Sequence, residues 1–311
     1  MTGASAPGPA RRPSLGARAT ALRHTLEYLL LRGLLFTVDG LSARAASAFA
    51  RGVGRLWWTV DGPRKRVAVA NIRRAGIESD PKRALALSRK ASEHFALVVI
   101  EGLKSAEVLD AADAEERCRL EIHPDVRRAL EDPDRGLIMA SGHFGSWEIA
   151  AHRLSRFKPV AGITRRMNNP RAEALIQSRK GRDRFRPIPK RSADPKRFLN
   201  VLKDGEILAL LMDQYAGEQG VQIPFFGHDA STFATAAMLH LVTRTPLCFG
   251  ACRRVGPMRF VLETSPLIEV TPSGSKKEDI ARILGELNGY LEAAIRRAPD
   301  QYVWGHRRWR D

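Results

Sequence analysis

The chain has 311 residues, a length that suits one large α/β domain or two smaller ones. Lysine and arginine total 51 against 34 aspartates and glutamates, a net charge of +17 that calls for an anionic partner: nucleic acid, an acidic carrier protein or phospholipid headgroups. No repeat at a fixed period is present, which excludes a solenoid. The three cysteines form no CxxC pair and no metal-ligand grouping with histidine, which excludes a disulfide framework and a zinc site and fits a reducing compartment.

Residues 1–18 are rich in Ala, Pro, Gly and Ser, bury too little apolar surface to order themselves, and are expected to be a disordered tail. The remainder, 19–311, reads as one domain, with a membrane-associated helical segment over 19–60 and a catalytic α/β region over 130–311. Leu26 to Val38 is apolar apart from Glu27 and Arg32. At 13 residues it falls short of the roughly 20 that a spanning helix needs. Arg11, Arg12 and Arg18 ahead of it and Ala-rich sequence behind it would suit a signal peptide, but Arg32 inside the apolar stretch argues against cleavage. The reading that fits is a helix lying in or dipping into the membrane interface, its arginines near headgroups.

Residues 40–112 read as helices, with Phe95, Val98, Val99 and Leu103 at three- and four-residue steps. From residue 136 the pattern alternates. Strands are expected at Leu137–Ala140, Val160–Thr164, Ile207–Met212, Leu247–Cys252 and Arg259–Glu263, and helices at Ile149–Ser155, Pro170–Arg179, Pro195–Lys203 and Ala234–Thr243. This order implies a mostly parallel central sheet covered by helices, in which ligands bind beyond the carboxyl ends of the strands. His143, Arg165 and Asp213 each stand just past such an end. Cys248 and Cys252 share one face of a strand and read as buried thiols. Ser275-Lys276-Lys277-Glu278 is a capping box ahead of an apolar stripe from Ile280 to Ile295, a packing helix.

The chemistry concentrates after the first of these strands, in His143-Phe144-Gly145-Ser146-Trp147-Glu148. On a continuous helix, residues five apart point roughly 140° away from each other. His143 and Glu148 therefore meet only if the histidine precedes the helix, a bend that Gly142 and Gly145 permit. Glu148 then occupies the first helical turn, where backbone N–H groups favour an anion, and can accept a hydrogen bond from one imidazole nitrogen while the other serves as a base. The alternative is a histidine that caps a helix in a satisfied polar corner. No GxSxG elbow, Walker A loop, GxGxxG fingerprint or HExxH helix is present, and Ser146 lies only three residues after His143, which disfavours a covalent serine.

This motif resembles the active-site sequence of the lipid A late acyltransferases, within the wider glycerolipid acyltransferase superfamily. The resemblance continues in Gly162-Ile163-Thr164-Arg165 with Asn169-Pro170, in Asp213-Gln214-Tyr215-Ala216-Gly217, in Val221 to Gly227, and in Ala298 to Trp309. It fades N-terminal to about residue 60. It implies an inner-membrane enzyme, working on the cytoplasmic side, that moves a fatty acyl group from an acyl carrier protein thioester to a hydroxyl of a lipid A precursor, in lipopolysaccharide synthesis. His143 would be the base and Glu148 its partner. Arg165 would bind phosphate or the oxyanion, Asp213 would hold Arg165 or order the pair, and no metal, cofactor or covalent intermediate would be needed. Thr164, Arg166 and Tyr215 depart from the family's usual tyrosine, proline and acidic or polar residue, which leaves the acceptor and chain length open. Relatives acting on mannosylated phosphatidylinositol carry aspartate at the position of Glu148, so glutamate leans toward lipid A. Another glycolipid or phospholipid acceptor, or an inactive basic membrane-binding protein, are the alternatives. Nucleic-acid binding would rest on charge alone. Phe225-Phe226 reads as substrate-facing loop or core, and Trp304 and Trp309 as interface anchors or a packed tail.

Overall fold

The computed structural model describes residues 15–179, 184–190 and 194–310. The expected tail falls outside the described residues as far as 14, and a first helix, α1, begins at Leu15 and runs to Asp39. Three more long helices precede the sheet: α2 (Ala43–Val60), α3 (Gly62–Arg74) and α4 (Pro81–Leu103). Side chains cap each of them, Ser42 accepting from Ala45 N–H, Asp61 from Arg64 N–H and Asp80 from Arg83 N–H.

After the short helices α5 (Ser105–Leu109) and α6 (Ala114–Arg117) come β1 (Cys118–Glu121), α7 (Pro124–Glu131), β2 (Leu137–Ser141), α8 (Trp147–Leu154), β3 (Val160–Thr164) and α9 (Pro170–Ser178). The chain continues through β4 (Phe185–Pro189), α10 (Pro195–Lys203), β5 (Ile207–Leu211), β6 (Val221–Phe225), β7 (His228–Thr232), α11 (Thr235–Thr243), β8 (Leu247–Gly256), β9 (Arg259–Leu267) and α12 (Lys276–Arg297). Seven strands form one sheet in the order β1-β9-β8-β2-β5-β3-β4, parallel except for the β8–β9 hairpin, while β6 and β7 make a separate antiparallel pair.

The expected parallel α/β architecture is therefore observed. Alternation along β2 shows why the sheet is buried on both faces. Ile138 and Ala140 join the core formed with α10, α11 and α12, whereas Leu137 and Met139 join the core formed with α4, α7 and α8. A strand covered on both sides reads as an unbroken apolar run. The strands β1 and β4 escaped the sequence reading: one is four residues with two charges, the other contains Pro187 and Pro189, which a sheet tolerates at its edge. The β6–β7 turn places Phe226 at φ 52° and Gly227 at φ 75°, the left-handed pair that a two-residue hairpin needs.

The aromatic readings left open resolve to packing. Phe225, Phe226, Trp304 and Trp309 are all buried. The three cysteines are buried too. Cys252 hydrogen-bonds with Cys118 across the sheet, and burial pushes the Cys248 thiol up to about 12. The capping box forms in part, with Ser275 Oγ accepting from Glu278 N–H at the start of α12.

Candidate active site

Parallel strands put residues of equal register side by side. In the β2–β5 pair Ser141 faces Leu211, and Met212 N–H donates to Ser141 O at 2.9 Å. Two residues on, His143 and Asp213 emerge together at the carboxyl edge. Asp213 accepts twice from the same residue: Oδ2 from His143 N–H at 2.9 Å and Oδ1 from His143 Nδ1 at 2.8 Å.

An ionised carboxylate can only accept, so Nδ1 carries the proton and Nε2 presents its lone pair. The Gln214 amide Nε2 lies 3.3 Å from His143 Nε2 and 3.3 Å from His306 Nε2, placed to donate one hydrogen to each. Burial pushes the Asp213 carboxyl up, but the charge of His143, its two hydrogen bonds and the charge of His306 outweigh this and hold it at about 2. Burial pushes His143 down, and the charge and hydrogen bond of Asp213 more than reverse it, leaving the imidazole above its ordinary value. Burial and the neighbouring His143 charge hold His306 below it.

The loop that carries His143 is pinned from three directions. His143 O accepts from Val303 N–H at 3.0 Å, Gly145 N–H donates to Gln301 O at 2.9 Å, and Ser146 N–H donates to Cys252 O at 2.7 Å. Gly145 sits at φ 60°, and a Cβ there would lie 2.1 Å from Cys252 O; one at Gly142 would lie 2.8 Å from Leu291 Cδ1. Gly145 is required for close approach as well as for the bend, whereas the crowding at Gly142 comes from the end of the Leu291 side chain. The ring of Trp147, the first residue of α8, meets the His143 ring edge-on at 5.2 Å between centroids.

Glu148 occupies the first turn of α8, as expected, but the imidazole's acidic neighbour is Asp213. Glu148 Oε2 is 3.9 Å from His152 Nε2, and its side chain is 45% exposed. The sequence reading paired His143 with the nearest carboxylate along the chain, whereas the β2–β5 register supplies one seventy residues away. Arg165 is exposed just past β3, beyond β5 and two strand positions, roughly 10 Å, from β2. Asp213 orders the imidazole and does not hold Arg165. Asn169 caps α9 by accepting from Arg171 and Ala172 N–H, and its amide donates to His24 O and Glu27 Oε2, which fastens α1 to this rim. Among the described residues no three His, Cys, Asp or Glu side chains cluster as a metal cage requires.

A family sequence profile described as bacterial lipid A biosynthesis acyltransferase matches residues 16–311. The chain belongs to that family. Among its relatives are the lipid A biosynthesis palmitoleoyltransferase of Escherichia coli K12 and a lipid A biosynthesis acyltransferase of Shigella flexneri. Each is 28% identical over 180 residues, 57% of this chain and 56% of the relative. The lipid A biosynthesis lauroyltransferase of E. coli K12 is 28% identical over 191 residues, 59% of each chain. The chain thus spans under two thirds of the length of the curated relatives it matches.

Beneath the motif of this lipid A acyltransferase family member lies a buried charged network that sequence reasoning missed. Arg254 donates from Nε to Glu101 Oε1 at 2.6 Å, from Nη2 to Glu101 Oε2 at 2.5 Å, and from Nη1 to His94 Nδ1 at 2.6 Å. His94 Nε2 in turn donates to Gly145 O at 3.1 Å. Burial and the adjacent Arg254 charge hold His94 well below its ordinary value, so the ring is neutral and its two nitrogens are fixed as one donor and one acceptor. The partners are 153 and 160 residues apart, with no local signal. His306 and Gln214 were visible only as members of blocks that carry the resemblance.

Proposed function

We propose that the protein transfers a fatty acyl chain from a carrier-protein thioester to a hydroxyl of a lipid A precursor, with His143 as general base. The observation that carries this reading is the 2.8 Å contact between His143 Nδ1 and the buried Asp213, which leaves Nε2 as the acceptor. Nε2 takes the proton of the acceptor hydroxyl, and the oxygen attacks the thioester carbonyl. The amide of Gln214, released from His143 when the hydroxyl enters, donates to the oxyanion that forms. Collapse breaks the C–S bond, and the departing thiolate takes the proton from the imidazolium, so that an ester and a free carrier thiol result. Asp213 orders the ring and stabilises its charge. Glu148, half-exposed on the first turn of α8, steers the acceptor hydroxyl, and Arg165 meets the acceptor's phosphate.

The outer helices support a membrane-surface setting. Leu22, Leu26, Leu29, Leu30 and Phe36 of α1 are exposed at helical spacing, as are Val53, Leu56, Trp57 and Val60 of α2. No described helix is long and apolar enough to cross a membrane. Exposed apolar stripes on a chain of net charge +17 suit helices lying in an anionic interface on the cytoplasmic side of the inner membrane, and the same charge suits an acidic carrier protein. The test is mass spectrometry of lipid extracts from cells with and without the gene, repeated with His143→Ala. A precursor mass higher by one acyl chain, present with the wild type and lost in the variant, is expected. A gain that survives the substitution rules out His143 as the base.

A further inference from the structure

A cavity of 430 Å³ opens at the edge of the sheet, lined from α6 and β1, from α7 and from the end of α8. Four arginines face it: Arg119 of β1, Arg127 of α7, Arg153 in the last turn of α8 and Arg156 just after it. Trp147, which touches His143, starts that same helix. The eight residues of α8 therefore separate this cavity from the His143 loop by about 12 Å.

The acids that answer these arginines lie to the outside. Glu115 shares the lining and accepts from Arg153 Nη2 at 2.5 Å, but its side chain is 80% exposed while that of Arg153 is 9% exposed. Arg156 Nη2 donates to Asp110 at 2.5 Å, Arg119 Nη2 donates to Glu121 at 2.7 Å, and Arg127 lies 3.6 Å from Glu131. None of those three carboxylates lines the cavity. Water screens pairs of this kind, so they offset little of the repulsion among four gathered cations. Arg153 bears the largest cost. Its guanidinium lies 5.8 Å from the Phe157 ring centroid, and its buried Nε has no hydrogen-bond partner among the described residues. Burying a guanidinium is favourable only when its donors are matched by negative charge.

We infer that this cavity is a binding site for a phosphate monoester, separate from the acyl transfer proposed above and not resting on it. A terminal phosphate brings three oxygens and close to two charges, enough to accept from several guanidinium forks at once. A carboxylate or a phosphodiester has two oxygens to share. The volume falls in the range of small-molecule sites, roughly 300 to 1,000 Å³, so the phosphate comes with an organic body, which rests on Leu120 and Phe157. Arg153 holds the anion from the buried side, and the more exposed Arg119 and Arg127 close over it. A soluble ester and a lipid headgroup share this chemistry.

Two probes distinguish the sources, both used with the full chain at about 0.15 M salt, where exposed charges are screened. One is calorimetric titration with glycerol 3-phosphate. The other is flotation with vesicles that contain phosphatidic acid or, at matched surface charge, phosphatidylglycerol. Saturable uptake of one glycerol 3-phosphate per chain assigns a soluble ester; vesicle binding that prefers phosphatidic acid assigns a headgroup. In either case the double variant Arg119→Gln, Arg127→Gln is expected to bind about tenfold more weakly, as is Arg153→Lys, which keeps the charge and loses the fork. The exposed Lys276→Gln on α12 removes one charge elsewhere and should stay within about twofold. Binding of neither probe overturns the assignment. So does binding that the double variant retains, or that Lys276→Gln weakens as much as Arg153→Lys does.

Discussion

Asp213→Asn separates the two carboxylates near His143, the proposed base. Two donors of His143 point at Asp213, the backbone N–H at 2.9 Å and Nδ1–H at 2.8 Å, and a carboxylate accepts both. Asparagine has one oxygen to offer. The backbone N–H cannot become an acceptor and claims that oxygen, so the amide NH₂ faces Nδ1 and forces the proton onto Nε2, the atom that must be bare. In hydrolytic triads the same exchange costs about 10⁴ in kcat through the wrong tautomer, and a loss of about 10³ to 10⁴ is expected here. Stability changes as well. Asp213 is held at about 2 against an ordinary 3.8, a depression worth about 2 kcal/mol at neutral pH. The sign follows: a carboxylate depressed by folding stabilises above pH 3.8, and this contribution disappears as the pH falls through about 2. At pH 7 the variant should therefore melt lower, by about 4 °C. The assay is kcat from single-turnover acyl transfer between pH 5.5 and 9, beside a thermal melt at pH 7. A loss under about tenfold with the melt unchanged would refute the assignment of Asp213 as the orienting acid.

Because Asp213 raises His143, the acid limb of kcat/KM should lie above the ordinary imidazole pKa of about 6.5; Glu148→Gln should leave this limb where it is, and a downward move in that variant would restore Glu148 as the ring's partner. The stability supplied by the raised His143 is fully present below about pH 6.5 and fades as the pH climbs through its folded value. Gly145→Ala should destabilise by about 3 kcal/mol or more in urea titration, since its Cβ collides with Cys252 O at a positive φ; a loss under 1 kcal/mol would show that the loop can relax. Glu101→Gln leaves Arg254 buried without its counter-charge and should cost about 3 to 5 kcal/mol, read by the same titration.

The central sheet was legible because β2, β5 and β8 are covered on both faces and read as apolar runs, and α12 announced itself by its cap and stripe. The edge strands were not, since a proline-bearing or charged four- or five-residue segment becomes a strand only when a neighbour completes its ladder. The candidate site divides in the same way. The apolar run ending at two glycines, with helix-forming sequence directly after, is local and placed His143 at a strand end from sequence alone. Which acid stands beside it depends on β2 lying against β5 in one register, and the charges beneath it depend on α4 meeting β8, contacts 70 to 160 residues long. Local propensity and periodicity carry no record of such distances, so residue order determined the kinds of element and set His143 at a strand end, while tertiary packing alone chose the acid that stands beside it.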